Sequence, residues 1–90
     1  MTKHIALKLI GRQGCHLCEV ARGELARIIG ELNDRFPDLE YVVEDLDVDE
    51  NPDLFAKFSD EVPVLLLDEK QIAFFTIDAS RVLAAIEEKL

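Results

Sequence analysis

Two cysteines stand where an apolar run gives way to a helical pattern, in Gly11-Arg12-Gln13-Gly14-Cys15-His16-Leu17-Cys18. No other stretch limits the fold as much. Before it, Ile5 to Ile10 reads as a strand. After it, Leu17, Val20, Ala21, Leu25, Ile28, Ile29 and Leu32 recur at three- and four-residue intervals, which predicts a helix with these residues on its buried stripe. A C-x-x-C pair at such a junction is a redox signature. One helical turn brings the two sulfurs within bonding reach. The helix start supplies unpaired N–H groups and a partial positive charge, which favours a thiolate. The thiolate is the attacking species, so Cys15 is expected to be reactive at neutral pH. Cys18, one turn further in, is expected to be more covered and suited to resolving a mixed disulfide.

Ninety residues allow one domain, spanning 1–90. The longest uncharged apolar runs fall far short of the ~20 residues a membrane helix needs. The start shows no basic, then apolar, then small-residue leader pattern, so a cytoplasmic protein is expected. In a reducing compartment two cysteines are a poor structural staple, and so short a loop gains little from closure. The formal charge of −9 argues against nucleic acid and membrane as partners. A monomer is expected.

In chain order, Lys3 to Ile10 is apolar on both faces and reads as a central strand covered on both sides. His4 at its entry reads as a partly exposed histidine rather than a metal ligand. Gly11 and Gly14 frame a loop that needs permissive backbone. Gly23 and Gly30 lie within the helix, where either would serve close packing; Asn33, Asp34 and Pro37 end it. Glu40 to about Leu46 is a second strand, parallel to the first because a helix joins them. Eight acids and no base lie between Phe36 and Ala56. They read either as a solvated loop or as an acidic rim on the thiol's side of the sheet, repelling anions and raising the thiol's pKa. Asn51-Pro52 starts a short helix through Leu54, Phe55 and Phe58. Val62 to Leu67 is a buried strand, Asp68-Glu69-Lys70 a tight turn, and Gln71 to Phe75 the returning hairpin strand. Asp78 or Ser80 caps a last helix with Val82, Leu83, Ile86 and Leu90 inward. The result is an α/β chain, β-α-β-α-β-β-α, with a mixed four-stranded sheet and helices on its faces.

That order, with Cys15-His16-Leu17-Cys18, Asp47-Val48-Asp49, Asn51-Pro52 and Val62-Pro63-Val64-Leu65, resembles the thioredoxin fold in its short glutaredoxin-like form. It is similar to a small bacterial group of glutaredoxin-like proteins. The resemblance implies thiol–disulfide exchange, with Cys15 as nucleophile and Cys18 as resolving thiol. It implies a cis Pro63 and a Val62 backbone offering its N–H and C=O to an extended substrate. Arg12 matches a basic position of glutaredoxins, which would favour the Cys15 thiolate or hold a carboxylate of glutathione; an exposed loop arginine is the alternative. Asp78 is the counterpart of an acidic substrate-binding residue, although the Gly-Gly pair usual before it is replaced by Phe75-Thr76-Ile77. His16 either stabilises the neighbouring thiolate or faces solvent. No cofactor is implied, and glutathione enters only as a co-substrate. The implied partners are protein or small-molecule disulfides, with glutathione or a thioredoxin-type reductase as electron donor.

Two other readings compete. The chain would be a thioredoxin-fold interaction module with little turnover, its acidic rim holding a basic partner. Less favoured is a zinc site built from Cys15, Cys18, His4 and His16, because these do not form two pairs on separate elements.

Overall fold

The computed structural model describes residues 3–90. Its elements are β1 (His4–Gly11), α1 (His16–Arg35), β2 (Glu40–Asp47), a 3-10 turn (Val48–Glu50), α2 (Pro52–Phe58), β3 (Val64–Leu67), β4 (Lys70–Phe74) and α3 (Ala79–Lys89). The strands form one sheet in the order β2-β1-β3-β4. β1 pairs parallel with β2, from His4 opposite Glu40 to Gly11 opposite Asp47. β3 runs antiparallel to β1, with Ile10 opposite Val64, and β4 antiparallel to β3. The α/β architecture read from the sequence is the one observed.

Alternation along β1 divides the core. Ile5, Leu7 and Leu9 face α1 and α3, where they join Leu25, Ile28, Leu32, Val82 and Ile86 in the larger cluster. Ile10 points the other way and packs with Val48, Val64 and Leu66, under Leu54 and Phe58 of α2. α2 has only seven residues and shields just the end of the sheet that carries Ile10. Ala6 and Lys8 therefore stay half-buried and Val42 exposed, so the first strand is covered on both sides at one end only.

Several local expectations are corrected. α1 runs through Asn33 and Asp34 to Arg35, because neither residue blocks helical backbone and Pro37 lies beyond the last turn. Leu17 and Val20 are 45% and 48% exposed rather than part of the buried stripe, which begins at Cys18 and Ala21. Each lies one position before a buried residue, Cys18 or Ala21, on the flank of the stripe that Arg27 and Glu31 continue into solvent. Gly23 and Gly30 meet no atom within 4 Å of an added Cβ, so close packing does not explain them. β3 begins at Val64, because Pro63 has no N–H for the ladder. Asp78 caps α3, with its Oδ1 accepting from the N–H groups of Ser80 at 2.9 Å and Arg81 at 3.3 Å.

Candidate functional site

β1 ends at Gly11, and a turn with Gly14 at φ +72° carries the chain into α1. That turn sets Cys15 as the N-cap of α1, with extended backbone (φ −102°, ψ 115°). Its Sγ accepts the N–H of Cys18 at 3.2 Å, which is the place a serine or aspartate oxygen takes in other helices. Cys15 is half-buried, whereas Cys18 is 1% exposed. Both are free thiols.

The two sulfurs differ in acidity. Cys15 is held below the ordinary thiol range, first by the Cys18 thiol hydrogen bonding to it, then by the backbone N–H groups of Cys18 and Leu17 and the positive charge of Arg12; partial burial opposes them. Burial pushes the Cys18 thiol up, and its hydrogen bond to Cys15 adds to that shift. His16 is exposed in the first turn and is not among the main causes.

Gly11 matters by proximity rather than by backbone freedom. A Cβ added there would lie 3.3 Å from Cys18 Cβ, 3.4 Å from its Sγ and 3.5 Å from Nη2 of Arg22. On the far side of β1, the Ile10–Val64 pairing sets the Val62–Pro63 step alongside Gly11 and Arg12. The Val62–Pro63 peptide bond is cis; Pro63 is buried and Val62 half-buried. One strand further out, Phe74 and Phe75 are 49% and 45% exposed with ring centroids 5.0 Å apart. Phe75 has φ +62°, and its N–H donates to the Glu61 carbonyl beside Val62.

The acidic segment does lie on this side, since Gly11 pairs with Asp47. Its charge falls on arginines rather than on the thiol. Arg12 is bound through two nitrogens to both oxygens of Asp49, at 3.0 and 3.2 Å, and Arg22 Nε lies 2.8 Å from Asp45 Oδ2. Instead of the upward push that an acidic rim would give, Cys15 is shifted down, first by the Cys18 thiol. Arg12 is an ion-paired rather than a free loop arginine, with Asp49 as its partner.

Asp78 is committed to its cap and lines a shallow groove with Glu24 and Arg27 of α1. Among the described residues no three His, Cys, Asp or Glu side chains converge as a metal set, and His4 lies at the opposite end of β1 from the sulfurs. The sequence reading placed Asp45 and Asp49 only within a candidate acidic rim, and it missed Arg22, Phe74 and Phe75 as neighbours of the site. Arg22 had a detectable signal: it follows Cys18 by four residues and so shares its helix face. Asp45 and Asp49 had only the parallel register to mark them.

No helix among the described residues is long and apolar enough to cross a membrane. The family model of the Glutaredoxin-like domain matches residues 6–87. A "Glutaredoxin-like protein YDR286C homolog" from Dictyostelium discoideum is 32% identical over 87 residues, covering 94% of this chain and 78% of that one. Protein Ne2328 from Nitrosomonas europaea has a solution structure that matches with 28% identity and a TM-score of 0.63, over 90% of this chain and 89% of that one. Chloroplastic thioredoxin z matches in fold, with 19% identity and a TM-score of 0.71 over 96% of this chain and 78% of that one. Together with the β2-β1-β3-β4 sheet and the paired cysteines that open α1, these matches place the chain in the glutaredoxin-like family of the thioredoxin fold.

Proposed function

We propose that the chain is a thiol–disulfide oxidoreductase acting in a reducing compartment such as the cytoplasm, as a monomer and without a bound cofactor. One observation carries this reading: an accessible, acidified Cys15 caps α1 while a buried, weakly acidic Cys18 stands one turn behind it. The pair has the asymmetry that exchange needs. A low-pKa thiol attacks and leaves well, and a shielded partner waits until the mixed disulfide forms.

In the reducing direction the Cys15 thiolate attacks one sulfur of a substrate disulfide. A Cys15–substrate disulfide forms and the other substrate sulfur leaves as a thiolate, which takes up a proton. Cys18 then gives up its proton and attacks the Cys15 sulfur, which expels the second substrate thiolate. The substrate gains two electrons and two protons as two thiols, and Cys15 and Cys18 are left as a disulfide. An extended substrate would run beside Val62, whose backbone is proposed to pair with it. Glutathione or a thioredoxin-type reductase would return the electron pair. A glutathione carboxylate would reach Arg12 only by displacing Asp49, which favours protein disulfides over small anionic ones.

The test is trapping. Replacing Cys18→Ser is expected to accumulate a mixed disulfide on Cys15, visible as an adduct by intact-mass measurement after exposure to oxidised protein substrates. No adduct with any disulfide, from a folded variant, would overturn the proposal.

A further inference from the structure

We infer that Asp49 and Asp45 are positioning residues for the dithiol: each holds one arginine beside one sulfur and offsets part of its charge, keeping the disulfide a weaker oxidant. The inference rests on the dithiol chemistry proposed above and deepens it.

The geometry repeats itself on the two sulfurs. Arg12, three residues before Cys15, is pinned by both oxygens of Asp49 and reaches the Ser59 carbonyl through Nη1 at 3.5 Å. Arg22, four residues after Cys18, reaches the same bare spot on Gly11 as the Cys18 sulfur, and Asp45 holds it at 2.8 Å. Both acids come from the end of β2 and the turn after it, which the parallel register sets beside Leu9 and Gly11. On the Cys18 side the arrangement runs sulfur, cation, anion, from the Gly11 spot outward. A thiolate gains from the near cation and loses less to the anion behind it, since the interaction weakens with distance and with solvent.

Arg12 and Cys18 bear on Cys15, and Cys15, Arg22 and Arg12 bear on Cys18. Arg12 lowers the first thiol and Arg22 the second. Only the reduced protein contains a thiolate, so whatever stabilises it makes the disulfide more oxidising. Without their acids the two arginines would act unopposed. Both acids lie within the run that the sequence marks only as uniformly acidic.

The experiment uses Asp49→Asn and Asp45→Asn, which keep an oxygen for each arginine and remove the charge. Two quantities are read on the full chain: the pH profile of Cys15 alkylation by iodoacetamide, and the reduction potential in glutathione redox buffers. D49N is expected to move the alkylation midpoint down by about half a pH unit, a roughly threefold gain in ionised thiol. Both variants are expected to move the potential to more positive values. Each shift is expected to change in size when Arg12→Gln or Arg22→Gln is added, because the acid then acts on the sulfur without the cation it holds. The inference is overturned by a midpoint that stays or rises, by a potential that stays or becomes more negative in either variant, or by a shift of the same size with and without the matching arginine. Alkylation needs no substrate, so a chain that reduces no disulfide can still pass. Failure here leaves the oxidoreductase proposal standing.

Discussion

The two flanks of the cysteine pair are built from opposite materials. On the β2 side, Asp45 and Asp49 are matched against Arg22 and Arg12, so the charges are satisfied within the molecule. On the β3–β4 side the cis Val62–Pro63 step leads out to Phe74 and Phe75, two rings that the described residues leave about half exposed. A flank whose polar groups are already paired can set the chemistry of the sulfurs but offers little to a visitor. A flank with bare aromatic surface gains free energy only when something apolar comes to cover it. Under the proposed exchange, tuning falls to the β2 flank and docking to the β3–β4 flank, with β1 and its glycine between them.

The largest expected effect breaks the aromatic flank. Phe75→Gly is expected to lower kcat/KM for a folded-protein disulfide about tenfold, as loss of one aromatic contact predicts, while turnover of hydroxyethyl disulfide stays within about twofold. Because Phe75 sits at φ +62°, glycine relieves backbone strain while losing the ring's partial burial and its contact with Phe74, so stability is expected to change by less than about 1 kcal/mol, read by urea titration. Equal losses on both substrates would show that the ring serves the chemistry rather than docking.

A smaller effect tests the strand between the flanks. Gly11→Ala sets a methyl 3.3 Å from Cys18 Cβ, and is expected to cost about 1–2 kcal/mol of stability and to slow release of the mixed disulfide. A variant as stable as the parent would mean that the Cys18 turn yields easily and Gly11 is not what seats it.

The smallest effect lies at the opposite end of the sheet and sharpens the comparison by contrast. Asp68 joins β1 to the hairpin turn and to α3: its Oδ1 accepts the Ala6 N–H at 2.8 Å and its Oδ2 pairs with Lys89 at 2.6 Å. Lys89, and then the Ala6 N–H, hold its carboxyl below the usual range. A depressed carboxyl contributes stability that is complete above its unfolded pKa of about 3.9 and is lost as pH falls through the lower folded value. Asp68→Asn is therefore expected to lose about 1 kcal/mol at pH 7 and to flatten stability below about pH 4, with Cys15 alkylation unchanged. A change in alkylation would show that the two ends of β1 are coupled.

Much of this molecule was legible in its residues. The strand before Gly11, the helix after Cys15 and the hairpin at Asp68 follow from period and turn chemistry, which act over a few residues. Leu17 and Val20 mark where that reasoning stops. They come one position before Cys18 and Ala21, so they lie on the flank of the buried stripe, with the exposed Arg27 and Glu31. Period assigns a side of the helix, and only packing decides whether anything lies against that side.

The C-x-x-C at a helix start, by itself, determined which sulfur would be acidified and which covered, because an N-cap and the next turn inward are local relations. What surrounds the pair was decided by the sheet. The parallel register of β1 with β2 brought Asp45 and Asp49 to the arginines, and the antiparallel register with β3 brought Pro63 and then Phe75 to the other side. Those neighbours are separated from Cys15 by 30 to 60 positions. Closing such distances depends on burial of the whole core and not on any local preference.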